Sequence, residues 1–238
     1  MKKWLIVSSF FLFFLPGNGF GAENATAEDD FSIAGTFLLR SSHIWRGIPV
    51  SMDYCFEPEL TIGKGNWAFT SWAARSFDGN YNEFDLILSW KTPFVELTLY
   101  DYYNPVRGET NRFLQWNGAQ QRHSMEVSAE ISAIEHFSLF GATFLTGDND
   151  ETGRPFYSTY IEGRWEQSIN KIDFQLFAGM TPFKGYYASE ASWLNLGAKG
   201  EYVFPVGKKL NMPVEAAWHY NPSLRQHFLV WSLGFTGW

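Results

Sequence analysis

Apolar and polar side chains alternate along residues 83–102, in two arms separated by a turn at residues 91–94. A period of two is the pattern of β-strands, because successive side chains of a strand point to opposite faces of the sheet. Pairing Trp90 with Val95 across the turn gives both arms one apolar and one polar face. The stretch therefore predicts a β-hairpin, either of a soluble sandwich or of a transmembrane barrel.

The same alternation recurs along the chain and predicts twelve strands. A two-residue turn at Lys64-Gly65 pairs Ile62 with Trp67 and sets the faces of the second and third strands. The predicted strands are residues 31–41, 51–63, 66–75, 83–90, 95–102, 122–132, 137–146, 157–166, 172–180, 192–203, 209–220 and 226–235.

The connections between these strands alternate between long and short, beginning with a long one at residues 42–49. Outer-membrane barrels have short turns at one end, longer loops at the other and an even number of strands. Strands of about ten residues also match the hydrocarbon thickness of a bilayer. The sequence therefore predicts an all-β fold, a single antiparallel up-and-down transmembrane β-barrel of about twelve strands.

Aromatic residues on the predicted outward face fall at two levels, as in the interfacial girdles of membrane barrels. A soluble sandwich would explain the alternation but not this placement. Trp231 is the exception, because it lies in the middle of its predicted strand. The short-turn level holds Trp67, Trp90, Phe137, Trp165 and Tyr202, and the other level holds Tyr54, Tyr157 and Trp218.

The N-terminus has the pattern of a secretory signal peptide: two lysines, an apolar run over residues 4–15, and small residues before a cleavage site. Cleavage after Gly21 puts Gly19 at position −3, whereas cleavage after Ala22 puts Phe20 there. The apolar run is shorter than the roughly 20 residues of a spanning helix. We expect a signal peptide over residues 1–22 and one barrel domain over residues 23–238, exported to the bacterial outer membrane.

Composition supports a membrane-facing chain: aromatic residues make up 19% of it, and charged residues 18%, against about 25% charged in soluble domains. The formal charge of −7 becomes −9 when the two lysines of the signal peptide are removed, which argues against nucleic acid as a partner. Cys55 is the only cysteine. It cannot form an internal disulfide, and we expect it to be a small buried residue.

Several short motifs resemble one bacterial protein family. They are the segment Ser41-Ser42-His43-Ile44-Trp45-Arg46-Gly47, the acidic strand Glu57-Pro58-Glu59-Leu60, and the late segment Trp218-His219-Tyr220-Asn221-Pro222. Together they are similar to the TorF (Gcw_chp) group of porin-like proteins, although His43 stands where that group usually has an aromatic residue. The resemblance implies an outer-membrane barrel of transport function, without catalytic residues and without a named solute.

The inward faces of the predicted strands are strongly acidic, with Arg40, Arg164 and Lys199 as their basic residues. Acidic rings in a narrow aqueous pore favour cations. We therefore expect a porin-like channel for passive diffusion of small solutes, either cationic or polyhydroxyl. The alternative is that the carboxylates are paired within a plugged barrel. The predicted acidic wall is Asp53, Glu57, Glu59, Glu83, Asp85, Glu96, Glu126, Glu130, Glu162, Glu166, Asp173, Glu201 and Glu215.

Two long connections place aromatic and basic residues at the predicted outer mouth of the barrel. They supply Trp45 and Arg46 from the first, and Arg107, Arg112 and Trp116 from the loop 104–121. These residues could form a constriction or a solute platform, or they could anchor the loops at the membrane interface. Neither a metal nor a cofactor is expected, since the histidines have no metal-ligand spacing.

An outer-membrane lipid hydrolase is an alternative from another class, and it needs a serine and a histidine on one strand face. His123-Ser124 fails this condition because adjacent residues of a strand point to opposite faces. His136 and Ser138 have the right spacing, but they are predicted to face the lumen, away from lipid. A structural or adhesive barrel without an open pore is the other alternative. We expect no enzyme activity.

Overall fold

A computed structural model describes residues 31–116 and 122–237 of the chain. The predicted signal peptide lies outside this part, as do residues 23–30 and Trp238. Within the described residues the chain forms the strands β1 (Phe31–Arg40), β2 (His43–Trp45), β3 (Ile48–Ser51), β4 (Cys55–Lys64), β5 (Trp67–Ser76), β6 (Asn82–Lys91), β7 (Val95–Tyr103), β8 (His123–Ile134), β9 (Phe137–Thr146), β10 (Thr159–Ile169), β11 (Ile172–Thr181), β12 (Ser192–Pro205), β13 (Leu210–Asn221) and β14 (Gln226–Gly237).

Twelve of these strands close into one antiparallel barrel, while β2 and β3 form a separate two-stranded sheet. Each barrel strand pairs with the next one along the chain, and β1 pairs with β14 to complete the circle. Every predicted strand has its counterpart, and β9 has the predicted bounds. The prediction of a twelve-stranded up-and-down β-barrel is therefore confirmed.

The connections lie at the two ends of the barrel as the alternation predicts. Residues 65–66, 92–94, 135–136, 170–171 and 206–209 form the short turns at one end. The opposite end carries the loops 41–54, 77–81, 104–122, 147–158, 182–191 and 222–225. We call these the short-turn end and the long-loop end.

The predicted register of two hairpins is wrong by two residues. Trp90 pairs with Leu97 instead of Val95, because the Thr92 N–H donates to the Val95 carbonyl at 2.8 Å and closes a tighter turn. Ile62 pairs with Phe69 instead of Trp67. The faces stay as predicted, since a shift of two residues returns every side chain to the same side of the sheet.

The barrel is apolar outside and polar inside. Outward side chains such as Leu60, Phe69, Leu88 and Leu99 are exposed. The side chains that alternate with them point into the barrel and are buried, among them Thr36, Thr61, Thr70, Ser89 and Thr98. A soluble barrel or sandwich has the opposite arrangement, with its apolar side chains inside. A wall of this kind is suited to a surrounding of lipid and an interior of polar groups.

Trp231 does not fit the girdle pattern in the sequence. In the structure it is level with the end of the neighbouring strand β1, on the long-loop side of the barrel. Its carbonyl accepts a hydrogen bond from the N–H of Ser41, directly after β1 ends, and its ring lies 5.8 Å from that of Tyr54. Barrel strands are tilted and staggered. A residue in the middle of β14 is therefore level with the end of β1.

Gly234 allows the closing strands β1 and β14 to approach each other. A Cβ at this position would lie 1.9 Å from the carbonyl oxygen of Phe37 and 2.7 Å from the side chain of Leu38. We expect Gly234→Ala to lower the free energy of unfolding by about 1–3 kcal/mol, as overpacking does elsewhere. Urea unfolding in detergent, followed by tryptophan fluorescence, measures the change.

Gly141→Ala on β9 is the matched control, since no atom lies within 4 Å of the added Cβ. An equal loss of stability in both variants would contradict the steric explanation.

Candidate functional site

The loop between β1 and β4 folds into the barrel as a small hairpin made of β2 and β3. Trp45 pairs with Ile48, and the turn between them has positive φ angles at Arg46 (52°) and Gly47 (80°). Two such angles are typical of the tight turns that suit β-hairpins. The alternation predicts one plain connection over residues 42–49 and a strand that begins at Ser51, which instead belongs to β3.

The hairpin tip is fixed by close backbone contact. A Cβ at Gly47 would lie 2.0 Å from the carbonyl oxygen of Leu194 on β12, so only glycine fits here. The Asn221 side-chain amide donates to the Gly47 carbonyl at 2.9 Å. The tip is therefore held against the wall at β12 and β13.

Arg46 is the central residue of the hairpin. Its two terminal nitrogens each donate to an oxygen of Glu126 at 2.6 Å. A bidentate ion pair of this kind is among the strongest charge-assisted hydrogen bonds. Both side chains are almost completely buried, and Glu126 has 0% exposure. Arg46 also donates to the hydroxyl of Tyr187 in the loop 182–191.

Aromatic rings enclose this ion pair. The Arg46 guanidinium lies 4.6 Å from the ring centre of Trp45 and 5.1 Å from that of Tyr160. Such contacts stabilise a cation, more strongly when water is excluded. The buried apolar cluster around the pair consists of Tyr100, Tyr102, Phe140, Ala142, Phe144, Tyr160, Tyr187 and Leu194.

The hairpin also contacts the other sides of the lumen. Nδ1 of His43 lies 2.8 Å from Oε1 of Glu57 on β4, and Ile44 packs against the cluster formed by β13 and β14. Val50 packs against the cluster that contains Cys55, which is a free and buried cysteine as expected. The hairpin therefore crosses the half of the lumen nearest the long-loop end.

The structure corrects the positions predicted for the outer mouth. Trp45 and Arg46 lie inside the barrel rather than at its rim, because the hairpin turns inward. Arg107 is exposed in the loop 104–122 and donates to the Asp78 carbonyl at 3.3 Å. The Arg112 N–H donates to the Tyr103 hydroxyl at 2.9 Å, and Trp116 stacks on His123 at 4.1 Å between ring centres.

The loop that carries Trp116 lies on the outer wall of the barrel. His123 alternates with the outward residues Met125 and Val127, and yet it is buried. Its Nδ1 lies 2.8 Å from Oδ1 of Asp101, also on the outward face, and its Nε2 lies 2.8 Å from the Phe113 carbonyl. The loop therefore covers a buried histidine–aspartate pair. The sequence pattern does not indicate this pair, because outward polar residues look like local breaks in the alternation.

Part of the predicted acidic wall is neutralised by arginine and lysine. Arg164 bonds Glu130 and Glu162 at 2.7 Å each. Arg40 bonds Glu57 and Glu215 at 3.1 Å each, and Lys199 lies 3.4 Å from Glu215. With Arg46 and Glu126, five of the predicted carboxylates are paired and buried in the wall. Arg46 is not among the predicted luminal bases, because it belongs to a loop and not to a barrel strand.

Three other members of the predicted acidic wall lie near the ends of the barrel. Asp53 does not belong to the wall, because it lies between β3 and β4, where its carboxylate accepts the N–H groups of Tyr54 and Asp78. Near the short-turn end, Glu96 forms an ion pair with Lys91 at 3.0 Å, and Asp173 accepts a hydrogen bond from the Ser168 hydroxyl.

Of the other five members, Glu166 accepts a hydrogen bond from the Gln175 side-chain amide, and Glu201 pairs with Glu215 across β12 and β13. Glu59, Glu83 and Asp85 form the last group. All three line the luminal cavity. None of them forms an ion pair with a lysine or arginine in the part of the chain that the structure describes. The Tyr81 hydroxyl donates to Glu83 at 2.5 Å, whereas Oδ1 of Asp85 is buried without a hydrogen-bond partner. These carboxylates therefore have no basic partner in the described part of the lumen.

A cavity of about 470 Å³ occupies the lumen beside the hairpin. This is within the usual range for small-molecule sites, about 300–1,000 Å³. Its lining combines the group Glu59, Glu83 and Asp85 with aromatic side chains. The aromatic lining residues are Trp45, Trp72, Tyr100, Tyr102, Phe144, Tyr160, Phe177 and Tyr186.

The residues considered for lipid hydrolysis are not brought together. Ser138 Oγ is buried without a hydrogen-bond partner, and His136 Nδ1 instead lies 2.9 Å from the Glu166 carbonyl in a short turn. No group of three or more His, Cys, Asp or Glu side chains within residues 31–116 and 122–237 could hold a metal ion. In the same residues, no helix has the length and apolar character needed to cross a bilayer.

Several solved structures are similar to this chain. The KdgM porin has 7% identity and a TM-score of 0.47, over 87% of this chain and 98% of that chain. The KdgM porin in complex with disordered oligogalacturonate has 8% identity and a TM-score of 0.49, over 87% and 98%. The Acinetobacter baumannii outer membrane protein Omp33 has 8% identity and a TM-score of 0.42, over 89% and 98%.

No family model matches the chain, and no curated protein matches it. The likeness to the TorF group therefore remains a resemblance of short motifs. The architecture itself follows from this chain's own strand pairing: a closed antiparallel barrel of twelve strands with a hairpin in its lumen.

Proposed function

We propose that the protein is a porin-like channel of the bacterial outer membrane, through which small solutes diffuse passively with a preference for cations. The observation that carries this proposal is the inverted wall, with exposed apolar side chains outside and buried polar side chains inside. A closed sheet leaves no unpaired backbone edge, which is the condition for strands to cross a bilayer. The partners are then the lipid bilayer and small solutes.

The preference for cations is supported by the charge that remains after internal pairing. Arg40, Arg46 and Arg164 are each bound to buried carboxylates, so their charge is largely compensated. Glu59, Glu83 and Asp85 line the cavity without such a partner. Because low-dielectric walls strengthen the field of a charge inside a narrow lumen, a few unpaired carboxylates are enough to attract cations.

The β2–β3 hairpin limits the size of solute that can pass. It contacts the wall on several sides of the lumen, and a barrel of twelve strands is only somewhat wider than those that side chains fill. We therefore expect a small conductance. A structural barrel without an open pore is the second candidate, because the same hairpin fills the half of the lumen nearest the long-loop end.

Planar-bilayer recording of the refolded protein under a potassium chloride gradient tests the proposal. We expect a reversal potential of cationic sign, and a smaller one in Glu59→Gln, which removes one luminal charge. The control is Glu109→Gln, because Glu109 pairs with Arg122 in an exposed loop. A reversal potential of anionic sign would contradict the cation preference. Absence of any conductance would contradict the channel and favour the structural barrel.

A further inference from the structure

We propose that the luminal cavity contains a binding site for a small organic cation, with its ammonium group held by Glu59, Glu83 and Asp85 beside the ring of Trp72. This site rests on the proposed channel function and specifies a class of solute for it. The site lies on β4, β5 and β6, next to the aromatic cluster around Arg46, because Asp85 pairs with Tyr102 of that cluster on β7.

Strand register places these residues together. Glu59 pairs with Trp72 across β4 and β5, and Trp72 pairs with Asp85 across β5 and β6. Neighbouring strands are about 4.8 Å apart, so the backbones of Glu59 and Asp85 lie about 10 Å apart with Trp72 between them. Glu83 is two residues from Asp85 and therefore on the same face.

The carboxylates of the site have no positively charged partner among the described residues. The nearest basic groups that line the cavity are already in use: Arg40 and His43 are bound to Glu57, and Lys199 lies beside Glu215. Among the described residues, neither Glu59 nor Asp85 forms an ion pair with a basic side chain. A bound cation would supply the missing charge.

Asp85 gives an independent indication of a ligand. Its side chain is only 4% exposed, it lines the cavity, and its Oδ1 lacks a hydrogen-bond donor. A buried acceptor without a donor destabilises the protein, and more so when it is charged. An ammonium group donates several hydrogen bonds and carries the opposite charge, so it would satisfy this atom.

The aromatic lining favours an organic cation over a metal ion. The face of a tryptophan ring attracts ammonium groups, and Trp72 is flanked by the His43 ring at 5.6 Å. The carboxylates are not arranged to ligate a metal in the described part of the barrel. A volume of about 470 Å³ also leaves room for an alkyl body. The three features together suit a small amine or diamine.

Calorimetric titration of the refolded full-length protein with putrescine, a linear diamine, tests this site. We expect putrescine to bind and the linear diol of the same chain length not to bind, since the diol lacks the charge. Asp85→Asn and Glu59→Gln should each weaken binding about tenfold or more, as the loss of a charged hydrogen bond does. Glu109→Gln, on an exposed loop, should leave binding unchanged.

The outcomes separate the site from the channel. Cation-selective conductance without putrescine binding would overturn the site and leave the channel. Binding without any conductance would support the site and contradict the channel. Equal binding in Asp85→Asn, Glu59→Gln and the parent protein would place the diamine elsewhere and overturn the site. A difference in electrophoretic mobility between unheated and heated samples shows whether each variant has folded. Because both substitutions preserve side-chain size, we expect both variants to fold.

Discussion

Replacing Arg46 with alanine is expected to produce two large effects, a less stable barrel and a higher channel conductance. The substitution leaves Glu126 as a fully buried carboxylate without its bidentate arginine partner. Breaking a buried ion pair on one side costs about 3–5 kcal/mol. Urea unfolding in detergent measures the loss of stability.

The rise in conductance follows from the few other polar contacts that hold the hairpin. Asn221 bonds the Gly47 carbonyl and His43 bonds Glu57, and the rest of the contact is apolar packing. Without the Arg46–Glu126 pair, we expect the hairpin to leave the lumen part of the time. Single-channel recording should show larger openings than in the parent protein.

A double variant separates the loss of the ion pair from the cost of leaving Glu126 buried without a partner. Arg46→Ala with Glu126→Ala removes both charges, so its loss of stability should be smaller than that of Arg46→Ala alone. Its conductance should remain high, because the hairpin has still lost its anchor. Unchanged conductance in both variants would show that the hairpin does not limit the pore.

Arg164→Ala is expected to have the second large effect, a loss of stability with no release of the hairpin. Arg164 bridges Glu130 and Glu162 at 2.7 Å each, and all three side chains are buried. Its removal leaves two like charges, on β8 and β10, which lie on either side of β9. We expect a loss of about 3–5 kcal/mol in the free energy of unfolding, measured by the same urea titration.

Two comparisons sharpen this result. Arg164→Lys should be more stable than Arg164→Ala but less stable than the parent protein. An ammonium keeps the positive charge but lacks the planar guanidinium, which can bond two carboxylates at once. Arg122→Ala breaks a pair whose side chains are 35% and 42% exposed, and exposed pairs contribute only about 0–1 kcal/mol. Equal losses in Arg164→Ala and Arg122→Ala would contradict the importance of burial.

Alternation in the sequence predicted the strands and their faces because it is a local property of β structure. A residue such as Leu88 is outward whichever partner it has, since neighbouring side chains point to opposite sides. The register was harder to predict. Pairing Ile62 with Trp67 or with Phe69 gives the same faces, and only the turn at Gly65, with its φ of 56°, selects the second.

The sequence pattern could not predict the inserted hairpin, for a physical reason. Its strands have three and four residues, too few to show a period. Arg46 occupies a left-handed position that an arginine seldom adopts, and its partner Glu126 is eighty residues away. The turn is stabilised by contacts that exist only after the barrel has closed.

The candidate site was likewise predictable only in part from the sequence. Glu59, Glu83 and Asp85 were predicted to face the lumen from alternation alone, and the structure has them lining the cavity. Which carboxylates stay unpaired could not be predicted. That depends on where Arg40, Arg46 and Arg164 reach, and Arg40 bonds a glutamate 175 positions along the chain.

The sequence by itself determined the number of strands, the two faces of each strand and the ends at which long and short connections lie. These follow from side-chain alternation and turn residues, which act over a few neighbouring positions. The tertiary structure alone decided that a loop enters the lumen, that arginines neutralise five of its carboxylates, and that another loop covers His123 on the outer wall. Those outcomes depend on distances between residues far apart in the chain, which become definite only when the first and last strands pair.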